Sequence, residues 1–306
     1  MLSNDMLIKI FIEIDNPFKL QCVSKQFNAS IYNNRNYIAY GILTRLGFNP
    51  DFSDSYRIYK NFVSKHNINS IDYDLIDATK NGHTEIVELL ITDPTIDPAV
   101  YNTSITAASL YGHAEVLELL LINSNVDSIE IDSYAIGYAS YHGYFSVVKL
   151  LLKDPRVDPS VDDNYAFRIA AENGYTDVVE LLLADPRVDP SANNNYAINY
   201  ASYYGHTDVV KLLLENSRFN SKIDPSDIDN YAIRWAAENG YTDVVELLLA
   251  DPRVDPSDIG NYAIKRAFKK GHIKIVKLLL SDSRIKSSFR WLYAFLLSYK
   301  NDFINI

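Results

Sequence analysis

The chain has 306 residues, a net charge of −10 and a single cysteine, Cys22. One thiol excludes an internal disulfide framework and a cysteine-rich zinc site, and it favours a reducing, intracellular setting, which we expect to be the cytoplasm. The charge is uneven, with +3 over residues 1–70, −21 over 71–260 and +8 over 261–306, and the acidic middle argues against nucleic acid as a partner.

The first 45 residues predict a small helical module. An apolar stripe at helical spacing is followed, after Pro17, by a second apolar segment. Because Lys9 and Glu13 interrupt the stripe and no basic run precedes it, we expect neither a signal peptide nor a membrane-spanning helix. The stripe consists of Leu7, Ile8, Ile10, Phe11 and Ile14.

This module resembles an F-box. Three stretches match that family: Leu2-Ser3, where the family has leucine-proline, residues 6–11 in the first helix, and 23–27, a valine-serine-basic-x-aromatic signature. The resemblance implies docking onto a Skp-type subunit of an SCF ubiquitin ligase. The docking side chains would be Leu2, Leu7, Ile8, Phe11 and Phe27. The alternative is an ordinary helical cap for the rest of the chain, joined to it in either case by a linker helix within residues 46–67.

Residues 68–287 repeat one template seven times. Its anchor is a glycine followed by histidine or tyrosine, found at intervals of 30 to 35 residues. The interval of 35 contains four additional residues, which lengthen the loop RFNSKIDPSDIDN. A fixed period of this length predicts small units that stack and share one core. The anchors are Gly82, Gly112, Gly143, Gly174, Gly205, Gly240 and Gly271.

Each unit predicts two short helices. Around Gly174, the stretch FRIAA at 167–171 indicates a first helix, which the glycine ends in a left-handed conformation. Thr176 is expected to cap a second helix with an apolar face. Asp185-Pro186 ends that helix, and the polar stretch RVDPSANNN predicts a turn or short hairpin before the next unit.

These units resemble ankyrin repeats. That family opens its first helix with threonine-proline-leucine-histidine, then has two alanines, a glycine-histidine turn and a valine- and leucine-rich second helix. Here most first helices open with Tyr-Ala-Ile or Tyr-Ala-Phe, and the position of the family's hairpin glycine holds Asp163, Asn194, Asp229 or Gly260. The resemblance implies an all-α ankyrin-repeat solenoid with short hairpin loops. The repeats also resemble arrays encoded by large DNA viruses, which would place the chain in host cytoplasm.

Residues 288–306 contain a truncated eighth unit, which opens at Tyr293. A stack of repeats leaves an apolar face at its end that has to be covered. Trp291, Phe295 and Leu296 are therefore expected to act as a C-terminal cap.

The sequence predicts no catalytic, cofactor or metal site, and we expect that the chain is not an enzyme. The turn histidines lie at least 30 residues apart, so they are expected to form a row of hydrogen-bonded turn elements. The stretch DPSDIDN at 224–230 alternates acids but lacks the glycine and glutamate of a calcium loop. The turn histidines are His83, His113, His206 and His272.

Recognition of another protein is the function that remains. The ankyrin resemblance implies that a partner binds on the concave side, near the end of each first helix, and tyrosine is enriched at binding hot spots. We expect a monomeric adaptor that brings a target protein to a ubiquitin ligase, or alternatively a plain interaction scaffold. The candidate contact residues are Tyr111, Tyr141, His142, Glu172, Tyr203, Tyr204, Glu238 and Lys269.

Overall fold

The structure is a computed structural model that describes residues 71–91, 96–123, 134–217 and 222–285. The chain divides into two compact units, Met1–Asp132 and Ser133–Ile306. Within the described ranges, all regular structure is helical and consists of fourteen α-helices in seven consecutive pairs. The predicted N-terminal module, the linker helix and the C-terminal cap lie outside these ranges, and so do Leu2, Leu7, Ile8, Phe11 and Phe27.

The first unit contributes two helix pairs. They are α1 (Ile71–Lys80) with α2 (Thr84–Leu90), and α3 (Pro98–Tyr111) with α4 (Ala114–Asn123). Helix α1 packs against α3, and α2 packs against α4. Asp97 caps α3, because its carboxylate accepts a hydrogen bond from the Ala99 amide at 2.9 Å.

The second unit contributes five pairs. Each first helix packs against the next first helix, and each second helix against the next second helix. The pairs are α5 (Tyr134–Tyr141) with α6 (Phe145–Lys153), α7 (Val161–Glu172) with α8 (Thr176–Leu183), α9 (Ala192–Tyr204) with α10 (Thr207–Ser217), α11 (Asp227–Asn239) with α12 (Thr242–Leu249), and α13 (Asp258–Lys270) with α14 (Ile273–Ser281).

The pair α7–α8 illustrates how the sequence builds one repeat. Its first helix buries a phenylalanine and small alanines, and its second helix buries valines and a leucine, so both helices face one core. Thr176 is the first residue of α8, and Tyr175 before it makes no side-chain capping bond, so the predicted threonine cap is wrong. The buried residues are Phe167, Ala170, Ala171, Val178, Val179 and Leu182.

Five of the turn glycines lie against a ring of the next repeat. Gly174 has a left-handed φ of 80°, and a Cβ atom added to it would lie only 2.5 Å from Nδ1 of His206. Glycine is therefore needed both for the backbone conformation and for the approach of the ring. The same approach occurs for Gly82 with His113, Gly143 with Tyr175, Gly205 with Tyr241 and Gly240 with His272.

We expect Gly174→Ala to lower the free energy of unfolding more than Gly271→Ala does. Both glycines have φ of 80°, but a Cβ on Gly271 meets no described residue within 4 Å. Gly271→Ala is the control and should lose only the stability of about 1–2 kcal/mol that a left-handed alanine costs. Gly174→Ala should lose more, because its Cβ atom would also displace the His206 ring. Urea denaturation of both variants measures the difference, and equal losses would contradict the role of the ring.

Arginines hold the loops between repeats. Arg187 donates from Nε and Nη2 to the two carboxylate oxygens of Asp185, at 2.9 and 2.7 Å, and from Nη1 to the Val157 carbonyl of the preceding repeat at 2.8 Å. Arg253 and Arg284 repeat this arrangement. The hydrogen bonds from Arg187 hold the pKa of the Asp185 carboxyl below its usual range. Each guanidinium thus links its own turn to the neighbouring repeat.

Of the two predicted alternatives, turn and short hairpin, the described loops between repeats are left-handed turns, and they contain no β-strand. In four repeats, three consecutive residues have φ between 44° and 64°, at 162–164, 193–195, 228–230 and 259–261. The third is always a buried asparagine. The side-chain oxygen of Asn164 accepts from the Asp189 amide of the next repeat at 2.7 Å, and that of Asn230 accepts from the Asp255 amide at 2.6 Å.

The first residue of these turns differs between repeats. Asp162 and Asn193 hold it in two repeats, and such short polar side chains tolerate a left-handed backbone. Ile228 and Ile259 hold it in the other two, with φ of 49° and 44°. Both isoleucines are β-branched and exposed, so these two turns carry strain that the other two avoid.

We expect Ile228→Asn to raise the free energy of unfolding by about 1 kcal/mol, because asparagine occupies a left-handed backbone at lower cost. Ile122→Asn is the matched control, since Ile122 is exposed in the right-handed helix α4. Urea denaturation compares the two changes. Stabilisation by both variants would mean that lost surface hydrophobicity, and not relief of strain, is the cause.

Candidate protein-interaction surface

Six aromatic side chains lie across the first helices α9, α11 and α13. Within α9 and α11 they are spaced by three or four residues, which places them on one face of each helix. All six are half-buried, so one side of each ring packs while the other meets solvent. We call this surface the aromatic row, and its members are Tyr196, Tyr200, Tyr203, Tyr231, Trp235 and Tyr262.

The rings of the row contact one another from helix to helix. Tyr196 and Tyr200 stack with centroids 3.9 Å apart and planes at 11°, and Tyr200 lies 5.9 Å from Tyr231 on the next helix. Trp235 lies at the centre, 5.4 Å from Tyr203 and 6.5 Å from Tyr262. Contacts at these separations favour fixed ring orientations, so neighbouring rings support one another's positions.

Guanidinium groups lie at both ends of the row. Arg168 of α7 has its guanidinium carbon 5.0 Å from the centroid of Tyr196. At the other end, Arg234 and Arg266 lie 5.3 and 5.2 Å from the centroid of Tyr262. Cation–π attraction at these distances holds both groups on the rings.

Two glutamates hold the hydroxyls of the terminal tyrosines. Glu172 accepts from the Tyr196 hydroxyl at 2.5 Å. Glu238 accepts from the Tyr262 hydroxyl at 3.1 Å and from Nε of Arg266 at 3.0 Å. Each bond joins a helix to the next first helix, which fixes the position of the terminal rings.

Two tyrosines of the row have raised pKa values. Burial raises the pKa of Tyr196 well above its usual range, and the hydrogen bond to Glu172 raises it further. Burial also raises the pKa of Tyr231 to about 12, with the neighbouring Tyr200 adding to the effect. At neutral pH Tyr196 and Tyr231 therefore present uncharged hydroxyls.

Comparison with known proteins settles the family. The family model described as "Ankyrin repeats (3 copies)" matches residues 75–163, 136–224 and 221–288. The chain belongs to the ankyrin-repeat family. The predicted all-α ankyrin-repeat fold is confirmed, and the chain is a scaffold for protein–protein interaction.

A solved structure agrees on the fold. The crystal structure of the human ASB11 ankyrin repeat domain matches with a TM-score of 0.55 and 21% sequence identity, covering 67% of this chain and 96% of that domain. No curated protein matches the chain in a sequence search. In the described ranges, no helix is long and apolar enough to cross a membrane.

The predicted contact residues of the array lie in several places. Tyr111 belongs to the first unit and is 49% exposed. On α5 of the second unit, Tyr141 is 47% exposed and packs edge-on against His142, with centroids 4.9 Å apart. Tyr203 belongs to the aromatic row, and the exposed Tyr204 packs edge-on against it at 4.8 Å.

The charged candidates differ in accessibility. Lys269 is exposed in the last turn of α13, whereas Glu172 is half-buried and bonded to Tyr196. Glu238 has to be corrected as a contact residue, because it is only 7% exposed and its carboxylate already holds Tyr262 and Arg266. Its role is to join α11 to α13.

Sequence reasoning missed the centre of the row. Tyr200 and Trp235 occupy the same position in successive repeats, four residues after the opening tyrosine. That position holds Ile169 in the repeat before them and Arg266 in the repeat after them. Variation at this position between repeats is the signal in the sequence, whereas the predicted contact residues lie at the two positions before the turn glycine.

Three turn histidines act as predicted. Nε2 of His206 donates to the Glu172 carbonyl at 2.8 Å, and Nε2 of His113 and of His272 donate to the carbonyls of Lys80 and Glu238, both at 3.0 Å. Each bond reaches the end of the first helix of the preceding repeat, where carbonyls lack helical partners. Among the described residues, no group of three or more histidine, cysteine or acidic side chains could hold a metal ion.

Proposed function

We propose that this ankyrin array binds a protein partner over the aromatic row. The observation that carries the proposal is the cluster of half-exposed rings around Trp235, contributed by three successive first helices. Tryptophan, tyrosine and arginine dominate binding energy at protein interfaces, and all three meet here. Because neighbouring rings already fix one another, little side-chain entropy is lost on binding.

We expect a photo-reactive phenylalanine derivative at position 200 to form a covalent adduct with the partner. The same residue at position 180 is the control, because Glu180 is exposed on the second helix α8. Adducts from cells that contain the partner are identified by mass spectrometry. A partner captured equally from both positions would contradict the proposal.

The same partner should lose affinity for Tyr200→Ala and for Trp235→Ala by at least about tenfold, or about 1.4 kcal/mol. Tyr134→Ala removes an exposed tyrosine that lies outside the row, on α5, and should change the affinity little. Circular dichroism establishes that each variant is folded.

We also propose that residues 1–45 dock onto a Skp-type subunit, which would make the chain an adaptor of an SCF ubiquitin ligase. Support comes from the F-box-like pattern of the sequence, with apolar residues at Leu7 and Phe11 and the signature at 23–27. The second candidate is an interaction scaffold in which these residues only cap the array. If the likeness to viral arrays reflects origin, the partner belongs to the host cell.

We expect the full chain to bind a Skp-type subunit and a Leu7→Asp, Phe11→Asp double variant not to bind, because two charges would disrupt the apolar docking face. A pull-down measures this binding. Circular dichroism of the double variant establishes that its array is folded. Absence of binding by the folded wild-type chain would leave the scaffold as the function.

A further inference from the structure

We infer that the partner contacts the aromatic row through an extended, proline-rich segment with an acidic flank. This inference rests on the proposed function and adds the chemistry of the ligand. It depends on three features of the second unit, which are the direction of the row, its hydrogen-bond donors and the charge at its end.

The row runs across the helices and not along one of them. Ring contacts pass from Tyr200 on α9 to Tyr231 on α11, and from Trp235 on α11 to Tyr262 on α13. A ligand that covers the row must therefore cross three helices. Within the described ranges, no sheet edge is available to which a β-strand could be added.

A polyproline II segment matches this direction and its spacing. Packed helices lie about 8–10 Å apart, and a polyproline II helix advances about 9 Å in each turn of three residues. Prolines at every third position would therefore meet successive helices of the array. Aromatic-lined surfaces are the usual binding sites for such segments, which lose little entropy because they are already extended.

Donors in the row suit the backbone of such a ligand. Polyproline II has no internal hydrogen bonds, so its carbonyl oxygens are free to accept. Tyr203 offers a hydroxyl and Trp235 an indole N–H, both on half-exposed side chains at the centre of the row. Burial raises the pKa of Tyr231 to about 12, so its hydroxyl also stays uncharged at neutral pH.

Exposed lysines in the last described repeat favour a ligand with acidic residues at one end. The second unit is acidic over most of its length, but its last described repeat carries Lys269 and Lys270 in the final turn of α13 and Lys274 on α14, all exposed. Lys269 lies seven residues after Tyr262, about two helical turns further along the same helix. Acidic residues at the end of the ligand that lies on α13 would be attracted to these lysines, and salt would weaken that attraction.

The test is a fluorescence titration of the full chain with synthetic peptides of about ten residues that carry proline at every third position. The chain has two tryptophans, Trp235 and Trp291, so Trp291→Phe makes the signal specific to the row. Peptides with glutamates at either end, a neutral peptide and a peptide with alanine in place of proline are compared. An oligothymidine is titrated in parallel, because the bases of single-stranded nucleic acid also stack on aromatic side chains.

We expect saturable binding of a proline peptide with an acidic flank, and at least about tenfold weaker binding by Tyr200→Ala or Tyr203→Ala. Tyr134→Ala should bind normally, and Lys269→Glu should weaken the acidic peptide but not the neutral one. Equal binding of the alanine peptide, tighter binding of the oligothymidine, or no saturation would overturn the inference.

The two proposals fail in different ways. A protein cross-linked at position 200 that the proline peptide cannot displace would leave the interaction surface in place and overturn only the ligand chemistry. Displacement of that protein by the proline peptide, and not by the alanine peptide, supports both. Absence of any cross-link specific to position 200 would overturn the proposed function itself.

Discussion

Within each unit, neighbouring repeats satisfy polar groups of one another. A turn histidine donates to the carbonyl at the end of the first helix of the preceding repeat, as His206 does to Glu172. An arginine reaches a carbonyl of the preceding loop, as Arg187 does to Val157, and an asparagine accepts an amide of the following loop, as Asn164 does from Asp189. A buried group without such a partner would destabilise the fold. The repeats therefore depend on one another, which explains why turn and loop residues recur as regularly as the core.

Sequence predicted the parts of the fold that local chemistry decides. Helix spacing, the alanines at Ala170 and Ala171 and the turn at Gly174 follow from apolar periodicity and backbone preference, and the structure has all of them. Asp163, at the position of the family's hairpin glycine, suits the left-handed backbone that the structure has there. Ile228 and Ile259 could not be foreseen in left-handed turns, because β-branched residues avoid this conformation and only the surrounding bonds impose it. The capping role of Thr176 was wrong since its helix begins at that residue.

The candidate surface was predicted only in part, because its contacts join residues about one repeat apart. Tyr203 was predicted from its place near the end of a first helix, but its contact with Trp235 depends on how α9 packs against α11. Glu238 appeared accessible from its position before a turn glycine, yet Arg266 of the next repeat covers its carboxylate. Sequence period gives the position of a residue within its repeat. It does not give the side chain that the next repeat places over it.

The longer loop between α10 and α11 keeps two of the bonds between repeats, although Lys222 stands where the other loops of the second unit have an arginine and pairs with Asp189 at 3.9 Å. Beyond the four additional residues, the Asp224 amide still donates to Asn195 at 2.8 Å, and Arg253 still donates to the Ile223 carbonyl at 2.8 Å. Both bonds form downstream of the insertion, so the register of the stack does not depend on the length of chain before them. This loop is therefore a natural site at which evolution or protein engineering could insert a foreign peptide, epitope or small domain without altering the rings on α9 and α11.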